Sequence, residues 1–273
     1  MTTLAAASAA QETRVPALRL DTMLYEKSNG IAYVTFNRPA VYNAVNVPTL
    51  RDLRTAMEDA RDDSAVHGVI LTGAGDKAFA AGADIGGLAG LDAIEGEKLS
   101  RFIQETLDLV ETLGKPVVAA INGVALGGGC ETAMACTIRI AAEHAKFGQP
   151  EVRLGLLPGG GGTQRLPALV GKGRALQLIL TGGMIDAEEA HRIGLVNEVV
   201  PAAELIGRAE AILDEIAANA PLAVKYSLQV ANAAAGEGYA LEASYFGLLA
   251  GTEDRKEGTT AFLDKRKPRF RGR

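Results

Sequence analysis

With 273 residues, 48% of them hydrophobic, the chain is long enough to bury a large core as one substantial domain with an appendage. Its net charge of −5 argues against a general nucleic-acid binder. No apolar run approaches the roughly 20 residues that a membrane-spanning helix needs, so no membrane partner is expected.

Met1–Ala10 is rich in Ala, Thr and Ser and has no basic residue. It reads as the start of a flexible tail over residues 1–17 rather than a secretory leader, and better as a frayed end than as an organelle-transit segment. Leu24–Glu26 and Ile31–Phe36 flank Ser28-Asn29-Gly30, a hairpin signal. After Asn43-Ala44-Val45-Asn46 comes a helix with Leu50, Leu53 and Met57 on one face. Gly68–Thr72 predicts a short buried strand, followed by the Gly/Ala-rich run Ala78–Ile85. Leu99, Ile103, Leu107 and Val110 mark an amphipathic helix that stops near Gly114 and Pro116.

An apolar β-type run, Pro116–Ile121, ends at Asn122-Gly123, and Gly127, Gly128 and Gly129 lead into a helical segment, Cys130–Cys136. Glycines at such a junction allow close backbone approach, and the first N–H groups of the helix have no internal partner and favour negative charge. Glu131 is an acid placed just inside that anion-favouring position. Thr137–Ala142 reads as another strand, and Phe147–Glu151 leads to the loop Gly155–Gly162. From about Lys172 the pattern reads as almost wholly helical, with Asp186 and Glu189 resembling a capping box. Strands alternating with helices up to about residue 200, then helices alone, predict an α/β core over 18–200 and a helical region over 201–273.

Cys130 and Cys136 lie among small and apolar residues, without metal spacing to the three histidines. They read as reduced core thiols, so a cytoplasmic location is expected. In Lys265–Arg273 six of nine residues are basic, a tail that suits either local phosphate contact or plain solvation.

Familiar chemistries lack their residues. Gly171-Lys172 is followed by Gly173 and not by Ser or Thr, so the phosphate-loop pattern fails. The dinucleotide fingerprint, the G-x-S-x-G nucleophile elbow and zinc-ligand spacing are absent. What remains is three Gly/Ala-rich junctions, Ala81–Ala83, Gly127–Gly129 and Gly159–Gly162, with two nearby acids, Glu131 and Glu151. Two junctions could each offer an N–H to one carbonyl oxygen and so stabilise an enolate, each donor being worth roughly 3–4 kcal/mol. Two carboxylates beside it could hold a water and move a proton. The same spacing equally suits a helix-start acid at Glu131 and a turn acid at Glu151.

The motifs Ala78–Ile85, Ala120–Glu131, Phe147–Glu151, Gly155–Arg165, Gly194–Pro201 and Thr252–Pro268 together resemble the crotonase (enoyl-CoA hydratase/isomerase) family, from about residue 20 onward. The resemblance implies an α/β fold, a spiral of ββα units with a C-terminal helical region that packs between subunits, as a trimer or a hexamer built from two trimers. It implies an oxyanion hole from the amides of Ala83 and Gly128, and two catalytic glutamates, Glu131 and Glu151. The substrate would be an acyl-CoA thioester, bound near Val41, Ala81, Asp84 and Ile85, with Phe262 and Lys265 reaching a neighbouring subunit's CoA. The reaction implied is syn addition of water to a trans-2-enoyl-CoA, needing no metal or other cofactor. An enoyl-CoA isomerase or a specialised acyl-CoA hydratase or lyase is the nearest alternative, and a non-catalytic CoA- or RNA-binding protein the alternative of another class. Where many relatives carry lysines this chain has Ala40 and Gly86, which bears on how CoA phosphates would be held.

Overall fold

The structure, a computed structural model, describes residues 14–88, 90–233, 244, 246–249 and 251–273. Its path begins with an antiparallel meander of β1 (Val15–Arg19), β2 (Met23–Ser28) and β3 (Ile31–Phe36). The two residues of the expected hairpin turn, Asn29 and Gly30, have φ of 50° and 75°. Left-handed backbone at both positions gives the turn a twist that matches its strands. Because β1 starts at Val15, the last residues of the expected tail lie in a strand, with Val15 and Pro16 paired to β2. The helix α1 (Val47–Asp62) buries Leu50, Leu53 and Met57 as its periodicity predicts, and Asn46 caps it by accepting from the Thr49 N–H.

From here the chain repeats one manoeuvre. β4 (Gly68–Gly73) is followed by β5 (Ala78–Ala80), then a short α2 (Ile85–Leu88) and the long α3 (Ala93–Glu111). β6 (Val117–Ile121) is followed by β7 (Val124–Leu126) and α4 (Gly128–Ala135). β8 (Ile138–Ala142) is followed by β9 (Lys146–Gly148), α5 (Gly162–Val170) and α6 (Lys172–Thr181). The first strand of each pair joins a seven-stranded sheet of order β1-β2-β3-β4-β6-β8-β11. The second joins a four-stranded sheet of order β10-β9-β7-β5. β10 (Met184–Asp186), α7 (Ala187–Arg192) and β11 (Glu198–Val200) complete both sheets. This is the expected spiral of ββα turns.

The corners of the spiral stack on one another. Asn122, between β6 and β7, donates to the Gly73 and Gly75 carbonyls at the β4–β5 corner and accepts from the Gly73 N–H. A Cβ on Gly123 would lie 2.4 Å from the Lys77 carbonyl oxygen, so only glycine fits there. His144, at the β8–β9 corner, sets Nε2 against the Asp76 and Asn122 carbonyls.

Two readings from the sequence need correction. The strand ending at Ile121 does not pass directly into the glycines, because β7 intervenes, and the stretch after Lys172 contains β10 and β11. These strands have three residues each, too few to show an alternation. Asp186 does cap α7 by accepting from the Glu189 N–H, but the reciprocal half of the box does not form. Glu189 turns instead to Arg192 and Arg174.

One core lies between the large sheet, α1, α3 and α4, with Phe36, Phe79, Leu107 and Phe147 fully buried. A second covers the opposite sheet face, where α8 (Leu205–Ala217) lays Leu205, Ala209 and Leu213 against Ile70, Val118 and Ile140. This start of the expected C-terminal helical region is therefore part of the core. α9 (Pro221–Ala231) and α10 (Glu253–Leu263) follow. Both cysteines are buried, and burial pushes each thiol up to about 12, so neither is a nucleophile. Among the described residues no helix is long and apolar enough to cross a membrane.

The tightest contact is between α4 and β5, where a Cβ on Gly129 would fall 1.9 Å from the Ala80 carbonyl oxygen. Gly129→Ala should cost about 3 kcal/mol or more, because the α4 backbone and the β5 strand cannot move apart without disturbing the helix packing or the four-stranded sheet. A urea unfolding midpoint within error of the parent would contradict this packing.

Candidate active site

Two of the ββα junctions meet at one cavity of about 560 Å³. At the first, Gly82 and Asp84 bond to Val45 through the Gly82 carbonyl and the Asp84 N–H, both at 2.8 Å. Bonding on either side of Ala83 turns its own N–H the other way. At the second, Gly127 has φ 48° and ψ −123°, a conformation open to glycine alone, and it reverses the chain from β7 into α4. Gly128 is then the first residue of the helix, with no acceptor one turn back for its N–H. Neither the Ala83 nor the Gly128 amide donates to an acceptor among the described residues. Both residues line the cavity, together with Ala81, Glu131 and Glu151.

Glu131 sits one turn into α4 and is 2% exposed. Its Oε1 accepts from the N–H groups of Gly160 and Gly162, each at 2.8 Å. Gly162 opens α5, so that helix directs its N-terminal amide at the carboxylate. Oε2 accepts from no donor among the described residues. Burial pushes the Glu131 carboxyl up, against the pull of the Gly162 and Gly160 amides and of the Arg165 charge. The loop must be glycine here: a Cβ on Gly160 would lie 2.8 Å from Glu131 Oε2, and one on Gly162 would lie 3.0 Å from Oε1.

Glu151 reaches the same cavity from the start of a 3-10 turn, Glu151–Leu154, that follows β9 and Pro150. The preceding Gln149 is 1% exposed. With its amide oriented to suit its neighbours, it donates to Glu151 Oε1 at 2.8 Å and to Oε2 at 3.1 Å. Burial lifts the Glu151 carboxyl to about 7, and the Glu131 charge pushes the same way. Two half- or fully buried carboxyls on one cavity, both pushed toward neutrality, can pass a proton near pH 7. A Cβ on Gly127 would meet Glu151 Oε1 at 2.9 Å, so the same glycine serves the chain reversal and makes room for the acid. Leu99, Ile103, Leu126 and Leu157 give the rest of the cavity an apolar lining.

The structure thus brings Ala81, Ala83, Gly128, Glu131 and Glu151 to one cavity. Of the other expected CoA-binding positions, Val41, Asp84 and Lys265 are not among the residues that line it. Val41 is exposed on the 3-10 turn Pro39–Val41, and the Ala81 N–H is engaged by the Tyr42 carbonyl. Asp84 turns its carboxylate to Arg38 at 3.1 Å. Lys265 is exposed on the turn after α10. Ile85 opens α2 and Phe262 lies in α10, and the side chains of both fall outside the described residues. Among the described residues no group of three or more His, Cys, Asp or Glu could hold a metal ion. Sequence reasoning missed Gln149 and the two amides that hold Glu131. The glycines of the Gly159–Gly162 run are the available signal, but in sequence they stand as one of three junctions that could offer an N–H to a carbonyl oxygen, with nothing to pair them with Glu131.

The sequence profile of the family described as Enoyl-CoA hydratase/isomerase matches residues 26–273. The chain is 48% identical over 258 residues to a crotonyl-CoA hydratase of Syntrophomonas wolfei, covering 92% of this chain and 98% of that one. It is 49% identical over 254 residues to a short-chain-enoyl-CoA hydratase of Clostridium acetobutylicum, covering 92% and 97%. Among solved structures, an enoyl-CoA hydratase from Bacillus anthracis superposes with a TM-score of 0.87 at 39% identity, covering 93% of this chain and all of that one. The chain belongs to the enoyl-CoA hydratase/isomerase family.

Proposed function

We propose that the protein is an enoyl-CoA hydratase, adding water reversibly to a trans-2-enoyl-CoA to give a 3-hydroxyacyl-CoA. The observation that supports this most is the convergence of two unpaired amides and two carboxyls on one apolar cavity. The thioester oxygen accepts from the Ala83 and Gly128 N–H groups, which draws electron density from C3. Water held between Glu131 Oε2 and Glu151 attacks C3, and its proton passes to Glu131. The C2=C3 π electrons move toward the thioester, and the enolate charge is met by the same two amides. Glu151 then delivers a proton to C2 on the face that received the water. Dehydration runs the same steps backward. An isomerase needs one carboxyl to carry a proton between carbons, and a second acid gripped by two amides would then have no task. The substrate's acyl portion meets the leucine-lined wall. For assembly we propose a homotrimer, or two such trimers, working in the cytoplasm.

No net proton enters or leaves this reaction, so both directions use the pair of carboxyls carrying one proton between them. kcat/KM for hydration and for dehydration should therefore fall along the same limb as pH rises above about 7, where the pair loses that proton. Rates unchanged from pH 6 to 9, or limbs that differ between directions, would contradict the shared-proton scheme. With crotonyl-CoA as substrate, the loss of conjugated enoyl-thioester absorbance reads activity directly. Glu151→Gln should lower kcat by about 10²–10⁴-fold while the affinity for a saturated acyl-CoA stays within a few-fold. Near-parent turnover in that variant would remove Glu151 from the chemistry.

A further inference from the structure

The grip on Glu131 does not end at the glycine loop. The peptide that donates the Gly160 N–H to Glu131 has Gly159 as its carbonyl side. That carbonyl oxygen accepts from Ser100 Oγ at 2.7 Å and from Gln104 Nε2 at 3.0 Å. Gln104 Nε2 also donates to Ser100 Oγ at 3.2 Å, so an unbroken line of donors runs from Gln104 through Ser100 and the Gly159–Gly160 peptide into Glu131 Oε1. Hydrogen bonds in such a line polarise one another, and an amide whose oxygen accepts becomes a better donor at its nitrogen.

The same face of α3 supports the loop at further points, directly and through Arg165 of α5. Arg165 donates from Nη1 to the Gly160 carbonyl at 2.9 Å, and its guanidinium is held by Asp108 and Glu111, both at 2.7 Å. Ile103 lies against Gly160, where an added Cβ would stand 2.7 Å from its Cγ2. Ser100, Ile103, Gln104, Asp108 and Glu111 follow one another at spacings of three, one, four and three, a single stripe of α3. The N-terminal half of α3 lines the cavity as well, through Gly96, Leu99, Ser100 and Ile103.

Building on the hydratase reading above, we infer that Ser100, backed by Gln104, is a positioning residue for Glu131. It touches no reacting atom in this role. It fixes and polarises the Gly159–Gly160 peptide, and that peptide fixes the carboxylate that takes the proton of the attacking water. Displacing a reacting group by about 1 Å costs on the order of 10²-fold in rate, which sets the scale of its effect.

The test compares the parent with Ser100→Ala, Ser100→Thr and the double variant Ser100→Ala/Gln104→Ala in two assays. One is crotonyl-CoA hydration. The other is exchange of the C2 protons of butyryl-CoA with solvent deuterium, which calls on the two amides and on Glu151 but has no water to activate. Ser100→Ala should lower hydration kcat by about 10-fold, and the double variant by about 10²-fold, with KM within about twofold and butyryl-CoA exchange at the parent rate. Ser100→Thr, which keeps the hydroxyl, should return hydration to within about threefold of the parent. Equal losses in hydration and exchange, a loss confined to KM, or parent-like hydration in the double variant would each overturn the positioning role. A parent protein that fails to hydrate crotonyl-CoA would instead overturn the hydratase reading itself.

Discussion

A carboxylate that is 2% exposed is tolerable only if hydrogen bonds replace the water it has lost, and Glu131 takes two from the peptide N–H groups of Gly160 and Gly162. Those N–H groups belong to the loop before α5 and to its first residue, whereas Glu131 belongs to α4. The pairing therefore requires α4 and α5 to be set against each other closely enough for backbone to meet side chain. The packing that permits it is made of glycine: Gly129 against Ala80, Gly160 against Ile103, and Gly127 against Glu151. Hydrogen-bond satisfaction of one buried acid and close backbone packing are thus one constraint seen from two sides.

The spiral explains why the site lies where it does. Every turn sends one strand into each sheet and then a helix back, so strand-to-helix junctions recur on the same side of the molecule. Two of them, after β5 and after β7, place the Ala83 and Gly128 amides on the cavity, each facing away from the ladders that occupy its neighbours. β9 ends beside the same cavity and presents Glu151 through the 3-10 turn. A donor pair and an acid pair then follow from repetition of a single supersecondary unit, with glycine identity at each junction deciding how near the backbones come. Preorganised amides of this kind need no rearrangement when charge develops on an oxygen between them.

How much of this was legible in the sequence depended on the range of the interaction. The hairpin at Asn29-Gly30, the buried stripe of α1 and the C-terminal stop of α3 rest on contacts within a few residues, and local pattern carried them. The three-residue strands β5, β7, β9, β10 and β11 did not announce themselves, because their pairing depends on strands far along the chain. Glu131 and Glu151 could be picked out as acids in unusual positions, but their spacing fitted capping and turn roles equally well. Only the tertiary arrangement shows that Glu131 spends its first oxygen on Gly160 and Gly162 and that Gln149 serves Glu151. In sequence Ser100 is one more polar residue of an amphipathic helix, and nothing local distinguishes it from Glu97 or Lys98.

The central claim is that one carbonyl oxygen is shared by two peptide amides while the two glutamates face the neighbouring carbons. A crystal structure of the protein with a saturated acyl-CoA bound measures this most directly. The account predicts the thioester oxygen at about 2.7–3.1 Å from both the Ala83 and Gly128 nitrogens, with C2 beside Glu151 and C3 nearer Glu131. A thioester oxygen bound by neither amide, or C2 and C3 turned away from both carboxyls, would contradict it.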